Sequence, residues 1–369
     1  MKPLRQSTVI QEVIEQPAEE LIGYGLRLMG LPSHRYTGKG VRIAILDTGV
    51  DETHPDIAPN FAGQVDPWPG MSLHPHGTHV ASIAAAPKTG NGMIGVAPDA
   101  KIRSYRVLDF QGWGTPEGVT AAIRQAVEDG CDVINMSLGW PLTGKWAISE
   151  TDKAKMAQAI DYAESKGVPC VVSFGNEGAQ GGSWPGVYAK VIAVAAVDEL
   201  MQATSFTSIG DQVDIAAAGK DVYAAIPGGQ WAKMSGTSMG APHIAGAIAR
   251  IIEWYRVMLG RKPSVQEIRE FLYLHAIDLD LPGTDPRTGV GLFTFNPLEV
   301  TEQIRYLSRV IELIIGDKRA LVDGREYVLD VAPFIQDGRT LVPLRFVAEA
   351  MGFEVAWEAS ASKIIIRSR

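Results

Sequence analysis

Residues 41–49 decide the fold, and they are Val41-Arg42-Ile43-Ala44-Ile45-Leu46-Asp47-Thr48-Gly49. The first six are apolar except for one arginine, which is typical of a strand buried on both faces of a parallel sheet. Asp47 ends this strand, and a threonine–glycine turn follows it. Ligand and catalytic groups of open α/β sheets lie beyond the carboxyl ends of the strands, so Asp47 is a candidate functional residue.

The same kind of short apolar segment recurs along the chain and alternates with helical patterns. The periodicity predicts helices over residues 79–86, 116–129, 152–166 and 264–274, a long helix after Ser238, and strands over residues 101–107, 132–136, 168–174 and 191–197. Strands that alternate with helices indicate βαβ units. We therefore predict an α/β fold with a parallel sheet in three layers.

The composition changes near residue 309, where two Asp-Gly hairpin signals appear at positions 323–324 and 337–338. About 60 residues from there suffice for a small α+β domain. We predict a leader over residues 1–24, the α/β domain over 25–305 and the small domain over 310–369.

Bulk properties exclude several classes of protein. The 369 residues carry a net charge of −8, which argues against a nucleic-acid partner. Two cysteines cannot form a disulfide framework, and we expect Cys131 and Cys170 to be buried free thiols. The sequence shows neither a secretory signal nor an apolar run of membrane-spanning length. We expect a cytoplasmic location, or a cell-envelope or extracellular location if a leader has been removed.

Two further segments carry chemistry: His76-Gly77-Thr78-His79-Val80, and Gly236-Thr237-Ser238-Met239-Gly240-Ala241-Pro242-His243. Together with Asp47, they supply the Asp, His and Ser of a network that activates a hydroxyl nucleophile. Ser238 precedes a long helix whose N-terminal dipole favours negative charge. Asn176 follows a predicted strand, where its amide can donate to an oxyanion.

Other chemistries fit these segments less well. His76 and His79 could share a metal, but no glutamate follows His76 as a zinc peptidase requires, so we expect His79 to be structural. Residues 236–240 also match the Gly-x-Ser-x-Gly elbow of esterases, which needs a strand before the serine. Residues 230–234 make a poor strand, and no aspartate lies between Ser238 and His275.

On these three motifs, residues 22–300 resemble a subtilisin-type serine peptidase. The resemblance implies that Asp47, His76 and Ser238 are the triad and that Asn176 is the oxyanion donor. It further implies that an extended peptide lies between two segments, Ser137-Leu138-Gly139 and Gly112-Trp113-Gly114. The Ser-Gly-Thr-Ser motif also occurs in sedolisins, but those enzymes use glutamate where this chain has His76.

The resemblance also raises expectations about activation and metal binding. The first motif comes by residue 47, which leaves no room for a long prodomain and is similar to intracellular subtilisins. We therefore expect residues 8–17 to cover the cleft, although the family's Leu-Ile-Pro-Tyr block is absent. Structural calcium is expected at Asp56, beside a loop with Thr89 where the family usually has asparagine, and less firmly at Asp214.

Residues 310–369 resemble the copper amine oxidase N-terminal-like, or stalk, domain, which is common in envelope proteins. This segment contains neither histidine nor cysteine, so we expect no copper, and a role in attachment or assembly. Protein or peptide substrates follow from the peptidase resemblance, whereas the oligomeric state is unknown. The alternative function is a non-catalytic binding or envelope-associated protein built on a peptidase fold.

Overall fold

The computed structural model describes residues 10–14, 17, 19–31, 35–280, 283–295, 311–322, 325–336, 339–350, 353–358 and 363–368. The chain divides into two compact units, Met1–Pro297 and Leu298–Arg369. This division and the predicted domain ends at 305 and 310 fall within residues 296–310, which lie outside the described residues.

Strands of the first unit follow the alternating pattern of the sequence. They are β1 (Ile10–Ile14), β2 (Arg42–Asp47), β3 (Phe61–Val65), β4 (Lys101–Arg106), β5 (Val133–Met136), β6 (Cys170–Ser173), β7 (Ile192–Val197), β8 (Ile215–Ala218), β9 (Val222–Ile226), β10 (Gln230–Met234), β11 (Ala276–Ile277) and β12 (Leu292–Phe293). The helices are α1 (Tyr24–Leu28), α2 (Pro75–Ala85), α3 (Pro116–Glu128), α4 (Glu150–Ser165), α5 (Thr237–Leu259) and α6 (Val265–Leu274).

Nine strands form one sheet in the order β11-β12-β8-β7-β6-β5-β2-β4-β3. Every neighbouring pair from β12 to β3 is parallel, and only β11 is antiparallel to its neighbour. Helices α2 and α5 pack on each other and on the sheet, and α3 and α4 also pack on each other and on the sheet. The predicted three-layer α/β fold is confirmed.

Burial explains why these segments form the centre of the unit. All six residues of β7 are buried, as expected for a strand covered by helices on both faces. Helix α3 is amphipathic, and its apolar residues Val119, Ile123 and Ala126 are buried. Helix α5 is buried from Thr237 to Ile252, so it is the main core helix of the unit.

A separate three-stranded sheet, in the order β1-β10-β9, corrects one sequence prediction. Residues 230–234 were expected to be a poor strand, yet they form β10 and pair antiparallel with both β9 and β1. Trp231, Ala232 and Met234 are buried in this strand. Pairing on both sides, rather than local strand propensity, makes this segment extended.

The second unit is small and mostly antiparallel. It contains β13 (Ile311–Leu313), β14 (Arg319–Val322), β15 (Arg325–Val328), β16 (Phe334–Gln336), β17 (Arg339–Leu341), α7 (Leu344–Ala350), β18 (Phe353–Glu358) and β19 (Lys363–Ser368). The strands pair as β13-β14-β15, β16-β17 and β18-β19. This arrangement agrees with the predicted small α+β domain.

Candidate active site

Asp47 is the last residue of β2 and is completely buried. Its Oδ1 accepts the backbone N–H of Thr48 at 2.7 Å. The same carboxylate faces His76, whose Nδ1 lies 2.8 Å from Oδ1 and 3.0 Å from Oδ2. A carboxylate in contact with Nδ1 holds the proton on that nitrogen and leaves Nε2 as the basic nitrogen of the ring.

His76 lies in the first turn of α2, which is attached to the end of β2. The hydroxyl of Thr48 donates to the carbonyl of His74 at 3.0 Å and accepts the N–H of Gly77 at 2.9 Å. Pro75 is the first residue of α2, where its lack of an N–H costs no helical hydrogen bond. Both the strand end and the helix start therefore fix the position of the imidazole.

Ser238 lies in the first turn of α5, beside the end of β5. Its Oγ donates to the carbonyl of Ser137 at 3.3 Å, and the Ser137 hydroxyl donates to the Ser238 carbonyl at 2.8 Å. Ser137 directly follows β5, and β5 is the sheet neighbour of β2. Because the two strands are parallel, Ser238 lies at the same edge of the sheet as Asp47.

Asn176 comes soon after β6, the next strand along the same sheet. Its Oδ1 accepts the backbone N–H of Thr237 at 2.8 Å and the Thr237 hydroxyl at 3.0 Å. These two bonds fix the orientation of the amide, because its oxygen is used as an acceptor. The Nδ2 group is then left as a donor beside Gly236, where an added Cβ would lie 3.3 Å from it.

The two segments expected to bind substrate backbone also lie near this edge. Gly139 has no room for a side chain, because a Cβ there would lie 2.2 Å from the hydroxyl of Ser183. Trp113, in the other segment, contacts Trp146 from the loop that follows Gly139, with ring centroids 6.4 Å apart. An aromatic contact thus connects segment 112–114 to the loop that follows segment 137–139.

Comparison with known proteins shows the family to which the chain belongs. The profile of the subtilase family matches residues 38–291, which is most of the chain. The chain belongs to the subtilase family. The profile described as the copper amine oxidase N-terminal domain matches residues 293–366, so the resemblances stated for both parts of the sequence are confirmed.

Individual relatives of this subtilase show how far the similarity extends. An intracellular serine protease of Paenibacillus polymyxa is 32% identical over 317 residues, which cover 81% of this chain and 93% of the relative. Subtilisin NAT of Bacillus subtilis subsp. natto is 36% identical over 256 residues. The alignment spans 66% of this chain and 64% of that protein.

The second histidine of the His-Gly-Thr-His motif has a structural environment in this subtilase, as predicted. His79 is buried, and its Nε2 lies 3.1 Å from the carbonyl oxygens of Val222 and Ala232. Burial lowers the pKa of His79 to about 3, and the nearby His76 also lowers it. His79 is therefore neutral and links α2 to the β9–β10 hairpin. Both cysteines are free and buried, also as predicted.

The two residues proposed as calcium ligands differ in how their oxygens are used. Asp214 contacts the hydroxyl of Tyr273, Nη1 of Arg269 at 2.9 Å and the N–H of Ala193 at 2.7 Å. This carboxylate belongs to an internal ion pair, so the structure does not favour a cation at Asp214.

Asp56 has a different environment, although among the described residues no group of three or more His, Cys, Asp or Glu could hold a metal. Its Oδ2 accepts from Nε1 of Trp231 at 2.6 Å and from the N–H of Met93 at 3.0 Å, whereas its Oδ1 is buried without a hydrogen-bond partner. Burial raises the pKa of Asp56 despite those two hydrogen bonds. A buried carboxylate oxygen of this kind needs a proton or a cation, and carboxylate oxygen is a ligand that calcium prefers.

The leader segment occupies a position that the sequence did not indicate. Residues 10–14 form β1 and pair with β10, with Ile10 opposite Met234 and Ile14 opposite Trp231. Within the described residues this strand has no pairing with segment 112–114 or 137–139. The other residues of the predicted cover, apart from residue 17, lie outside the described residues.

Two residues near the site were missed by the sequence analysis. His74 caps α2, because its Nδ1 accepts the backbone N–H of His76 at 3.2 Å. Arg106, at the end of β4, is buried and donates to Asp66 and to three carbonyls of the loop before α2, those of Trp68, Met71 and Ser72. Histidine is not among the preferred helix caps, and Arg106 is one of three basic residues in β4, so the sequence pattern does not single it out.

Proposed function

We propose that this chain is a serine endopeptidase that hydrolyses peptide bonds through an acyl-enzyme intermediate. The observation that carries the proposal is the contact of buried Asp47 with Nδ1 of His76, at the sheet edge where Ser238 and Asn176 also lie. This is the set of groups that acyl transfer requires: a nucleophile, a base, an orienting carboxylate and an oxyanion donor.

Each group has a defined role in the proposed reaction. Nε2 of His76 removes the proton of Ser238 while Oγ bonds to the peptide carbonyl carbon, and the carbonyl π electrons move to oxygen. Nδ2 of Asn176 and the N–H of Ser238 stabilise that oxyanion. Collapse of the tetrahedral intermediate breaks the C–N bond, and His76 gives its proton to the leaving amine. Water then repeats the sequence and releases the acid.

We infer that the substrate is a protein or peptide bound as an added strand between segments 112–114 and 137–139. We also propose an intracellular location, because the relative aligned over most of both chains is named an intracellular serine protease. Within the described residues, no helix is both long enough and apolar enough to cross a membrane.

We propose that the leader restrains the site through β1. This strand pairs with β10, with Ile10 opposite Met234. Met234 is the last residue of β10, and Ser238 follows it by four residues. Displacing β1 would free one edge of β10 and loosen the approach to the nucleophile. In this proposal β1 acts on the site through β10 and does not itself cover the cleft.

One experiment tests both the function and the role of the leader. Casein hydrolysis and labelling by a fluorophosphonate are measured on the intact chain and after removal of residues 1–17. We expect hydrolysis and labelling, with a higher rate after removal. Equal rates for the two forms would contradict restraint by the leader, whereas neither hydrolysis nor labelling of either form would contradict the peptidase.

Asn176 offers a test of the oxyanion donor. Replacing Asn176 by aspartate keeps an acceptor for Thr237 but places an oxygen where Nδ2 would donate. We expect kcat to fall by about 10²–10³-fold with little change in KM, a magnitude taken from the corresponding donor of the related subtilisin. Asn176→Leu should lose a similar factor, although it also removes the two bonds from Thr237. A rise in KM at constant kcat would instead assign Asn176 to ground-state binding.

We propose that Asp56 contributes to a structural calcium site, with Glu20 as a further carboxylate. Oε1 of Glu20 accepts the N–H of Gly90 at 3.1 Å, in the loop that contacts Asp56. When bound, the ion would neutralise the buried carboxylate and tie the start of the domain to this loop. The proposal assigns it no step in catalysis.

Calcium removal provides the measurement, made in the Ser238→Ala background to prevent self-digestion. Calcium at a hundredfold excess over its Kd stabilises by about 2.7 kcal/mol, which is about 5–10 °C in Tm for a domain of this size. We expect that shift in the parent and its loss in Asp56→Asn. Asp214→Asn is the matched control, because it breaks an internal ion pair and should lower Tm while keeping the calcium-dependent shift. The same shift in Asp56→Asn as in the parent would place the ion elsewhere.

A further inference from the structure

The helix that carries His76 begins with an unusual cap. His74 has extended backbone angles of φ −76° and ψ 142°, and its Nδ1 accepts the N–H of His76 at 3.2 Å. Common caps are serine, threonine, aspartate and asparagine, which still accept a hydrogen bond near neutral pH. The accepting nitrogen of His74 differs because it can itself bind a proton in that range.

The cap acts on the same turn that Thr48 holds from the other side. Thr48 is bonded to the carbonyl of His74 and the N–H of Gly77, and its own N–H is bonded to Asp47. The turn that contains His76 is therefore held through the His74 ring on one side and through Thr48, at the end of β2, on the other. Loss of the bond to the His74 ring would free the backbone N–H of His76, and the side chain of His76 must stay aligned with Asp47.

The surroundings of His74 favour its neutral form. The ring is half-buried, and its centroid lies 6.4 Å from that of His76. Burial lowers the pKa of His74, and His76 lowers it further, whereas the carboxylates of Asp47 and Asp109 act in the opposite direction. The N-terminal dipole of α2 also disfavours a positive charge at the cap.

We propose that His74 is a positioning residue whose neutral ring holds His76 in place, and that its protonation in acid switches the site off. The proposal rests on the proposed peptidase function for its effect on activity. A proton on Nδ1 turns the acceptor into a donor that faces the N–H of His76, so the bond is replaced by repulsion. It also places a positive charge beside the imidazole that must become positively charged during acyl transfer.

The direction of the pH effect follows from the role of Nδ1 of His74 as an acceptor, and the lowered pKa of His74 moves the loss of the bond further into acid. The cap is intact above the titration range of His74 and is lost as the pH falls through it. The wild-type protein should therefore lose kcat/KM in acid more steeply than a single titrating group allows, because protonation of His76 and protonation of His74 both inactivate it.

His74→Asn is the decisive variant, because asparagine keeps a capping acceptor and does not titrate. We expect kcat/KM of His74→Asn to fall in acid as for a single titrating group. At one pH unit below the His74 midpoint, its kcat/KM should be about tenfold higher than that of the wild type. His74→Ala lacks the cap at every pH, so above the His74 midpoint its kcat/KM should be lower than the wild-type value by about two- to thirtyfold. Coincident acid limbs for wild type and His74→Asn would overturn the proposal.

A second readout does not depend on catalysis. In the Ser238→Ala protein, the backbone amide shift of His76 is followed by NMR across the titration of the His74 ring. We expect both signals to share one midpoint, and the His76 amide of His74→Asn to lack that transition. If the His76 amide shift does not change as the His74 ring titrates, the proposal is overturned even if the wild-type chain hydrolyses peptides. If the two signals share a midpoint but the wild-type chain hydrolyses no peptide, the result would support the role of His74 as a cap and contradict the proposed peptidase function.

Discussion

Replacement of Ser238 by alanine is expected to lower kcat by about 10⁶-fold, the value established for the nucleophile of the related subtilisin. The change removes the oxygen that attacks the carbonyl, so no acyl-enzyme can form. The fold should survive, because the lost Oγ makes one long hydrogen bond of 3.3 Å to Ser137. A single bond of this kind contributes about 1 kcal/mol. Hydrolysis of a peptide substrate, together with thermal unfolding, measures both effects.

A matched control lies three residues upstream of the nucleophile. Ser235 also carries a hydroxyl, which accepts the N–H of Asp221 at 2.8 Å and lies 3.2 Å from its carboxylate. Ser235→Ala should leave kcat/KM within about threefold of wild type, since surface changes rarely exceed 0.5 kcal/mol. A similar loss in both serine variants would mean that the segment, rather than the Ser238 hydroxyl, matters for activity.

A variant that combines His76→Ala with Ser238→Ala tests whether the two residues act as one unit or contribute independently to the rate. If His76 acts only by activating Ser238, His76→Ala should cost nearly as much as Ser238→Ala, and the double variant should cost no more than either. The remaining rate over the uncatalysed reaction should then depend on Asn176, since the oxyanion donor acts without the other groups. Additive losses would contradict the shared role of His76 and Ser238.

Strands and helices with strong periodicity were predictable from the sequence. Residues 101–107 and 116–129 were expected as a strand and a helix, and β4 and α3 end within one residue of those bounds. The buried faces of these two elements determine the periodicity of their apolar residues, so the local sequence and the tertiary packing favour the same structure. The boundary of α2 was less accurate, because the helix begins at Pro75 rather than near His79, behind a histidine cap.

Segments that depend on distant pairing were not predictable. Strand β10 contains a lysine among its buried residues, and its conformation depends on β9 and β1, the second of which is more than 200 residues away in sequence. One argument against the esterase alternative is that the sequence of this segment is untypical of a strand. That argument fails, but the chain order of Asp47, His76 and Ser238 and the family match exclude the esterase alternative independently.

The residues of the candidate site were easier to predict from the sequence than the residues that hold them in position. Asp47 ends a strand, Ser137 and Asn176 each come after one, and parallel strands place such residues at one edge without further information. The cap at His74 and the buried Arg106 depend on the path of the loop before α2, which no periodic pattern encodes. The orientation of Asn176 likewise depends on Thr237, a contact across 61 residues.

Asp47→Asn should produce the next largest loss after the Ser238 and His76 variants, about 10⁴-fold in kcat, as for the equivalent aspartate of chymotrypsin-type triads. Asparagine has nearly the same shape, so the change tests charge and tautomer rather than packing. Oδ1 of Asp47 accepts both the N–H of Thr48 and Nδ1 of His76. The amide oxygen would occupy that position, and the amide NH₂ would then face Nδ1 at the 3.0 Å position of Oδ2.

Two donors cannot share that contact, so the ring of His76 either moves or takes the tautomer with its proton on Nε2. Neither state can accept the proton of Ser238, and the imidazolium formed during attack also loses its counter-charge. Asp51→Asn is the control, because it makes the same chemical change four residues further along and should cost less than about threefold in kcat. Burst kinetics with an activated ester locate the loss in acylation. If Asp47→Asn keeps more than a tenth of the wild-type kcat, the carboxylate is not required to orient His76, and the proposed triad is wrong at this residue.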